Sequence, residues 1–213
     1  MPLASGEMKP MKLYFSPGAC SLASHIALYE AGLAFDTERV DLKTKQTKSG
    51  ADFTRINPKG YVPALELDDK SILTECTAIA LYVADRAPAK AIAPKAGTMD
   101  YFRCIEWMNY IATEMHKQLG SLFNPILSDE MRQIGRDNAG RRIGLVDKHL
   151  ATNAYLLGSA YSVADAYCFT VLRWAPYVKI DLNPFTNVVG YLNRIVARPA
   201  VQAAFKAEGL LKK

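Results

Sequence analysis

No Cys-x-x-Cys pair occurs in this sequence: its four cysteines, Cys20, Cys76, Cys104 and Cys168, are scattered singly along 213 residues. The three histidines, His25, His116 and His149, do not fall at metal-ligand spacing with those thiols, so no metal site is expected. The longest apolar runs are broken by charge within a few residues, which excludes a bilayer-spanning segment and argues against a membrane partner. Basic residues outnumber acidic ones only 26 to 21, and the net charge of +5 is spread along the chain. It lacks the clustered block of Lys and Arg that marks a nucleic-acid binder. Residues 1–10 have no apolar run of the secretory type and read as a flexible extension, with Met8 or Met11 as the expected start. A cytoplasmic home with reduced thiols follows as the default expectation.

What is present is ample apolar material: half of the residues are hydrophobic and 22% are charged, enough for one large domain or two small ones. The first half alternates short strands and helices. Met11–Phe15 reads as a strand, Pro17-Gly18 as a turn, and Ser21–Ala31 as a helix with Leu22, Ile26 and Tyr29 on one face and Gly32 as its left-handed stop. Strands are expected at Phe35–Leu42, Tyr61–Leu67 and Ser71–Thr74, the last two joined by a hairpin at Asp68-Asp69-Lys70, with a helix over Thr77–Arg86. This order, β-α-β then β-β-α, combines a parallel crossover with an antiparallel hairpin. The proline-flanked stretch 88–97 is the one convincing linker. Beyond it only helices are expected: Met99–Leu119, Asp129–Leu150, Val163–Trp174, Pro184–Ala197 and Ala200–Glu208. Ser162-Val163-Ala164-Asp165 has the form of a capping box. The expected architecture is an α/β domain over residues 11–87 followed by an all-α domain over residues 98–213.

Four places invite chemistry. Cys20 stands where the first strand hands over to the first helix, and the Pro-Gly turn puts it at an expected exposed apex. Unpaired N–H groups and the positive end of the helix dipole favour a thiolate there. With Cys20-Ser21-Leu22-Ala23 offering no second thiol, dithiol exchange is disfavoured and a mixed disulfide with a small external thiol fits better. Val62-Pro63 interrupts an apparent central strand; a cis bond before Pro63 would turn the Val62 N–H and C=O toward an extended ligand. Glu75 followed by a helix start makes a two-sided site, its carboxylate for an ammonium and the helix amides for a carboxylate. Glu106, Asn109, Thr113 and His116 recur at helical spacing as a polar stripe ending in His116-Lys117, which could aim a donor and a positive charge at a thiolate.

These pieces occur in one order in a known family. Ser16-Pro17-Gly18-Ala19-Cys20-Ser21-Leu22-Ala23-Ser24-His25, Asn57-Pro58-Lys59-Gly60-Tyr61-Val62-Pro63-Ala64-Leu65, Leu73-Thr74-Glu75 and the run from Glu106 to Lys117 resemble cytosolic glutathione transferases, and among them the bacterial beta class. The resemblance runs from Met11 almost to the C-terminus and includes Ser162–Asp165 with Ala166-Tyr167. It implies a thioredoxin-like N-terminal domain plus an all-α C-terminal domain, a homodimer, and glutathione as cosubstrate for attack on hydrophobic electrophilic small molecules. It assigns Cys20 to the neighbourhood of the glutathione sulfur, Glu75 and Cys76 to the γ-glutamyl group, Val62 with Pro63 to the cysteinyl backbone, and Lys45, Asn109, Thr113, Glu114, Met115 and His116 to further contacts. His116 and Ser21 are the expected alternative donors to the sulfur, and Tyr14 a remoter one. Cys76 departs from the Ser or Gly usual there, removing a hydroxyl contact and adding a second oxidisable thiol. Two rival readings stand beside the transferase: glutathione-dependent thiol–disulfide exchange through Cys20, and a ligand-binding protein that turns nothing over.

Overall fold

The computed structural model describes residues 10–211. Its first half is a five-stranded sheet, with β1 Met11–Phe15, β2 Phe35–Asp41, β3 Gln46–Thr47, β4 Ala64–Glu66 and β5 Ile72–Thr74 in the order β3-β2-β1-β4-β5. β1 and β2 are parallel, while β4 runs antiparallel to β1 and β5 antiparallel to β4. Strand alternation divides the side chains of β1 between two clusters. Met11, Leu13 and Phe15 enter the main core, whereas Tyr14 packs on the other face with Val40, Phe53, Val62 and Ala64.

The structure trims and extends several expected elements. The strand expected at Tyr61–Leu67 is only Ala64–Glu66, because Pro63 has no N–H for the ladder and precedes the paired residues instead of interrupting them. The two-residue β3 lies in the polar Lys- and Thr-rich stretch, too short and too polar to carry a strand pattern. Helix α1 spans Ser21–Ala31 as expected and stops on left-handed Gly32, whose N–H reaches the Leu28 and Tyr29 carbonyls. It is buried on nearly every side, because β1 and α2 (Cys76–Arg86) pack on it from one half and α6 and α8 from the other.

After α2, the chain makes a short 3-10 turn at Pro88–Lys90 and reaches α3 at Met99. The intervening loop is pinned rather than loose: Ile92 is buried, and its carbonyl accepts from the Val163 N–H at 2.8 Å. The second half contains α3 Met99–Tyr110, a π-helical segment Ile111–His116, α4 Lys117–Ser121, α5 Asp129–Leu150, α6 Val163–Leu172, α7 Thr186–Val196 and α8 Pro199–Glu208. α3, the π segment and α4 form one continuous rod where a plain α-helix was expected. α6 stops two residues before the expected Trp174, and α8 opens on Pro199, whose missing N–H costs nothing at a helix start.

All ten residues of α6 are buried, and its first turn carries the chain's most elaborate cap. Asp165 accepts from the Ser162 N–H (2.8 Å) and hydroxyl (3.1 Å), the Leu156 N–H (2.9 Å) and the Tyr191 hydroxyl (3.0 Å). Burial pushes its carboxyl pKa up, so these four donors are what keep a buried charge tenable there.

A second buried carboxylate joins the two halves. Glu208, at the end of α8, accepts from the Gly18 N–H at 2.8 Å and pairs with His25 Nδ1 at 2.9 Å. Both side chains are fully buried, and one hydrophobic core runs through both halves around them. Replacing Glu208 by Ala is expected to leave two buried donors without an acceptor and to cost about 3 kcal/mol. Urea unfolding of the two proteins measures this. A loss below about 1 kcal/mol would show that water or a neighbour takes over the carboxylate's role.

Candidate active site

Cys20 is the residue before α1, with its sulfur 3.1 Å from the Val62 carbonyl. It is half-buried and packs against the main core, not at the exposed apex expected from the Pro-Gly turn. The reason lies in Gly18, which adopts φ +71, a conformation open to glycine. Its N–H is held by Glu208 and its carbonyl accepts from the Trp174 indole N–H at 3.0 Å, so the second half draws the turn inward.

α2 brings a second thiol to the first. Cys76 opens α2, is only 5% exposed, and has its sulfur 3.6 Å from the Cys20 carbonyl oxygen. Its thiol is thereby placed where it can donate to the Cys20 sulfur. That bond from Cys76 is the leading reason the Cys20 pKa is held down to about 5; burial opposes it, and the hydrogen bond and field of His116 add to the lowering. The Val62 carbonyl, an acceptor, favours the thiol form, but two donors on the other side outweigh it. Cys76 moves the opposite way: its pKa is pushed well up, first by its bond to Cys20 and then by burial. The pair therefore behaves as one thiolate and one thiol sharing a proton.

His116 closes the cluster. It ends the π segment, its Nδ1 lies 2.7 Å from the Tyr167 hydroxyl, and its ring meets Trp174 edge-on at 4.9 Å between centroids. Tyr167, on α6, lies near Cys76 as well, so Cys20, Cys76, Tyr167 and His116 gather in one cluster. The expected polar stripe is only partly realised. Glu106, Asn109 and Thr113 are exposed, but the π segment carries His116 inward, while Lys117 is exposed.

The other expected residues scatter. Ser21 is not available as a donor: its fully buried hydroxyl accepts from the Ser16 N–H (3.1 Å) and donates to the Ser16 carbonyl (3.2 Å). Tyr14 faces the opposite side of the sheet, where it donates to Glu66 at 3.0 Å, and burial lifts its pKa to about 12. Met115 is buried in the core and Glu114 is paired with Arg142, so neither side chain joins the thiol cluster.

Around the thiols lie the elements of a peptide groove. The Val62–Pro63 bond is cis, and among the described residues the Val62 N–H donates to no protein acceptor. The Val62 carbonyl accepts from Cys20 at 3.1 Å, a bond that requires the protonated thiol. Lys45 Nζ donates to the Gly60 carbonyl at 2.7 Å, just before this turn. Glu75 caps α2 with φ +75, an uncommon conformation for a side chain of its size. Its carboxylate is met by Lys59 Nζ at 2.5 Å, and the same ammonium donates to the Thr74 hydroxyl at 2.8 Å. Lys59, Tyr167, Trp174 and Glu208 carry weight here that no local pattern announced, because their partners lie far away in sequence. A surface cavity of about 790 Å³ lies along β2 and β3, but none of Cys20, Val62, Glu75 and His116 lines it, so geometry rather than cavity size marks the site.

Comparison with known proteins identifies the family of the whole fold. The family model for the glutathione S-transferase N-terminal domain matches residues 9–85, and that for the C-terminal domain matches residues 110–199. Glutathione S-transferase GstA of Escherichia coli O157:H7 is 43% identical over 200 residues, covering 94% of this chain and 100% of that protein. A solved sphingomonad glutathione S-transferase complexed with glutathione superposes with a TM-score of 0.91 at 44% identity, covering 94% of this chain and all of that one. A bacterial beta class glutathione S-transferase of Sphingomonas chungbukensis does so with a TM-score of 0.91 at 46% identity and the same coverage.

The thiol cluster makes a direct prediction. The alkylation rate of Cys20 by iodoacetamide follows its thiolate, so it should rise through a midpoint near pH 5 and level off above it. In Cys76→Ala the midpoint should move up, because the lost S–H donor had stabilised the thiolate. An unchanged midpoint would remove Cys76 from that role. Cys104 and Cys168, both fully buried, should stay unlabelled throughout.

Proposed function

Because the chain belongs to the glutathione S-transferase family and is a glutathione transferase of the bacterial beta type, we propose that it binds glutathione across the groove between β4, α2 and Cys20. The bound thiolate then attacks hydrophobic small molecules bearing a leaving group or a conjugated double bond. The observation that carries this reading is the convergence of Cys20, Cys76, His116 and Tyr167 at the starts of α1 and α2, beside a free Val62 N–H.

Each part of the groove suits one part of the tripeptide. The first-turn amides of α2 favour a carboxylate, and the Glu75 carboxylate favours the adjacent ammonium of a γ-glutamyl group. Lys59 supports that assignment, since an ammonium already rests on Glu75 and would be exchanged for the ligand's own. The Val62 N–H can pair with the cysteinyl carbonyl, placing the ligand sulfur next to Cys20. Two thiolates at hydrogen-bond distance repel, so on binding Cys20 takes up a proton and donates it toward the glutathione sulfur. Tyr167 stays protonated, because burial raises its pKa, and it can donate to His116 Nδ1. The imidazole then offers its Nε2–H to the same sulfur. Holding that thiolate beside the electrophile supplies the rest of the acceleration.

Asn109 and Thr113 are exposed on the rod, and we assign their ligand contacts to a second subunit of a homodimer. Four unpaired cysteines suit a cytoplasmic, reducing home. A second reading, thiol–disulfide exchange with glutathione, draws support from the lowered pKa of Cys20.

The test is conjugation of glutathione to a chlorodinitrobenzene-type electrophile. His116→Ala should lose roughly a hundredfold to a thousandfold in kcat/KM, the scale for removing one preorganised donor. Cys20→Ala should keep most of its activity, since Cys20 neighbours the reacting sulfur without being the nucleophile. The reverse pattern, with Cys20→Ala inactive and His116→Ala unimpaired, would make Cys20 the essential group and overturn the assignment.

A further inference from the structure

We propose that Cys76 is the resolving thiol of Cys20, giving this protein a dithiol pair that exchanges reversibly with oxidised glutathione. The proposal rests on the reading above that places the glutathione sulfur beside Cys20. The sequence lacks a second thiol only along the same helix. The fold supplies it from another: α1 and α2 pack side by side, Cys20 immediately precedes the one and Cys76 opens the other. The Cys76 sulfur lies 3.6 Å from the Cys20 carbonyl oxygen, which brings the second thiol against the residue that carries the first.

The burial of the two sulfurs sets the order of events. Cys76 is 5% exposed and belongs to the core, whereas Cys20 is half-buried at its edge, so an incoming disulfide meets Cys20 first. The Cys20 thiolate attacks one sulfur of oxidised glutathione; the S–S bond breaks, a Cys20–glutathione disulfide forms, and one glutathione thiolate leaves to take a proton from water. Cys76 then attacks the Cys20 sulfur, a Cys20–Cys76 disulfide forms, and the second glutathione departs with the Cys76 proton. The enzyme loses two electrons, and the small disulfide gains them with two protons.

The same contacts time the second step. While Cys20 is a thiolate, its bond to Cys76 is the main cause holding the Cys76 proton in place. Converting Cys20 to a mixed disulfide removes that negative charge, so Cys76 becomes easier to ionise only once there is an adduct to resolve. Two reduced glutathione molecules run the cycle backwards and restore both thiols.

The experiment exposes reduced protein to oxidised glutathione, quenches it with acid, and reads intact mass and non-reducing peptide maps. Wild type should show a cross-link between the peptides carrying Cys20 and Cys76, with little glutathione adduct. Cys76→Ser and Cys76→Ala should instead accumulate one adduct on Cys20, at least about tenfold above wild type, because nothing resolves it. Cys20→Ser should show neither product. An equal adduct in wild type and Cys76→Ser, with no cross-link in wild type, would overturn the proposal. The cross-link is sought in the unmodified protein, so a poorly folding variant cannot rescue or sink it alone. Conjugation activity is measured on the same samples. An active wild type without the cross-link means that only the resolving role fails. No adduct on Cys20 in any variant, together with no conjugation, means that the glutathione site itself fails.

Discussion

The active site hangs on one glycine whose two backbone groups are both held by the far end of the chain. Gly18 donates to Glu208 and accepts from Trp174, from α8 and the turn after α6 respectively. A loop between a strand and a helix has no partners of its own for these groups, and left to water it would stand away from the core. Tied to a buried carboxylate and an indole, it instead sets the first turn of α1 against α2 and the π segment. His25, four residues into α1, is drawn to the same carboxylate and packs among Phe15, Tyr29 and Phe35. The helical half is therefore more than a wall for a second substrate: it fixes the residue that starts the chemistry.

Once the loop is fixed, electrostatics at the seam follows from donor counting. Cys20 faces one acceptor, the Val62 carbonyl, and two donors, the Cys76 thiol and His116. Two donors in a partly dry setting favour charge on that sulfur, and the same arrangement disfavours it on Cys76, which gives up its own proton only at the expense of its neighbour. Ligand binding changes the count. A glutathione sulfur arriving beside Cys20 competes for the same donors, and the two sulfurs must divide them. The protein thus sets how much negative charge the site holds and leaves its location open to whichever sulfur binds the donors best.

Much of this was legible in the sequence because it is local. α1, its Gly32 stop, α5 and the Ser162–Asp165 cap are each written in a few adjacent residues, and the structure reproduces them. The break at Val62-Pro63 also announced itself, although it shortens the strand rather than sitting inside it. What escaped was set by distant contacts. The two-residue β3 exists only because β2 offers it an edge, and no period can be read from two residues. The π segment changes the helical register, which a 3.6-residue extrapolation does not include, so Lys117 was expected beside the site together with His116, whereas only His116 turns inward. Ser21 looked like a free hydroxyl because its partner, the Ser16 backbone, is five residues away across the turn. Cys76 was seen as a departure in a binding position, while its contact with Cys20 required the packing of two helices that the sequence lists separately.

The four groups around the sulfur come from four elements: Cys20 from the turn before α1, Cys76 from α2, His116 from the π segment and Tyr167 from α6. A ring assembled this way has no redundant member, since each side chain is at once donor to one neighbour and acceptor or spacer for another. It also explains why α6 is buried along its whole length and capped so heavily. Any slide of that helix would move Tyr167 away from His116 and Cys76 together, and the four donors on Asp165 oppose such a slide at its first turn. The π segment completes the arrangement from the other side. His116, its last residue, reaches the Tyr167 hydroxyl while Met115 stays in the core. Reactivity at the seam is therefore a property of how the two halves are locked, and the lock is built from buried polar groups paired across them.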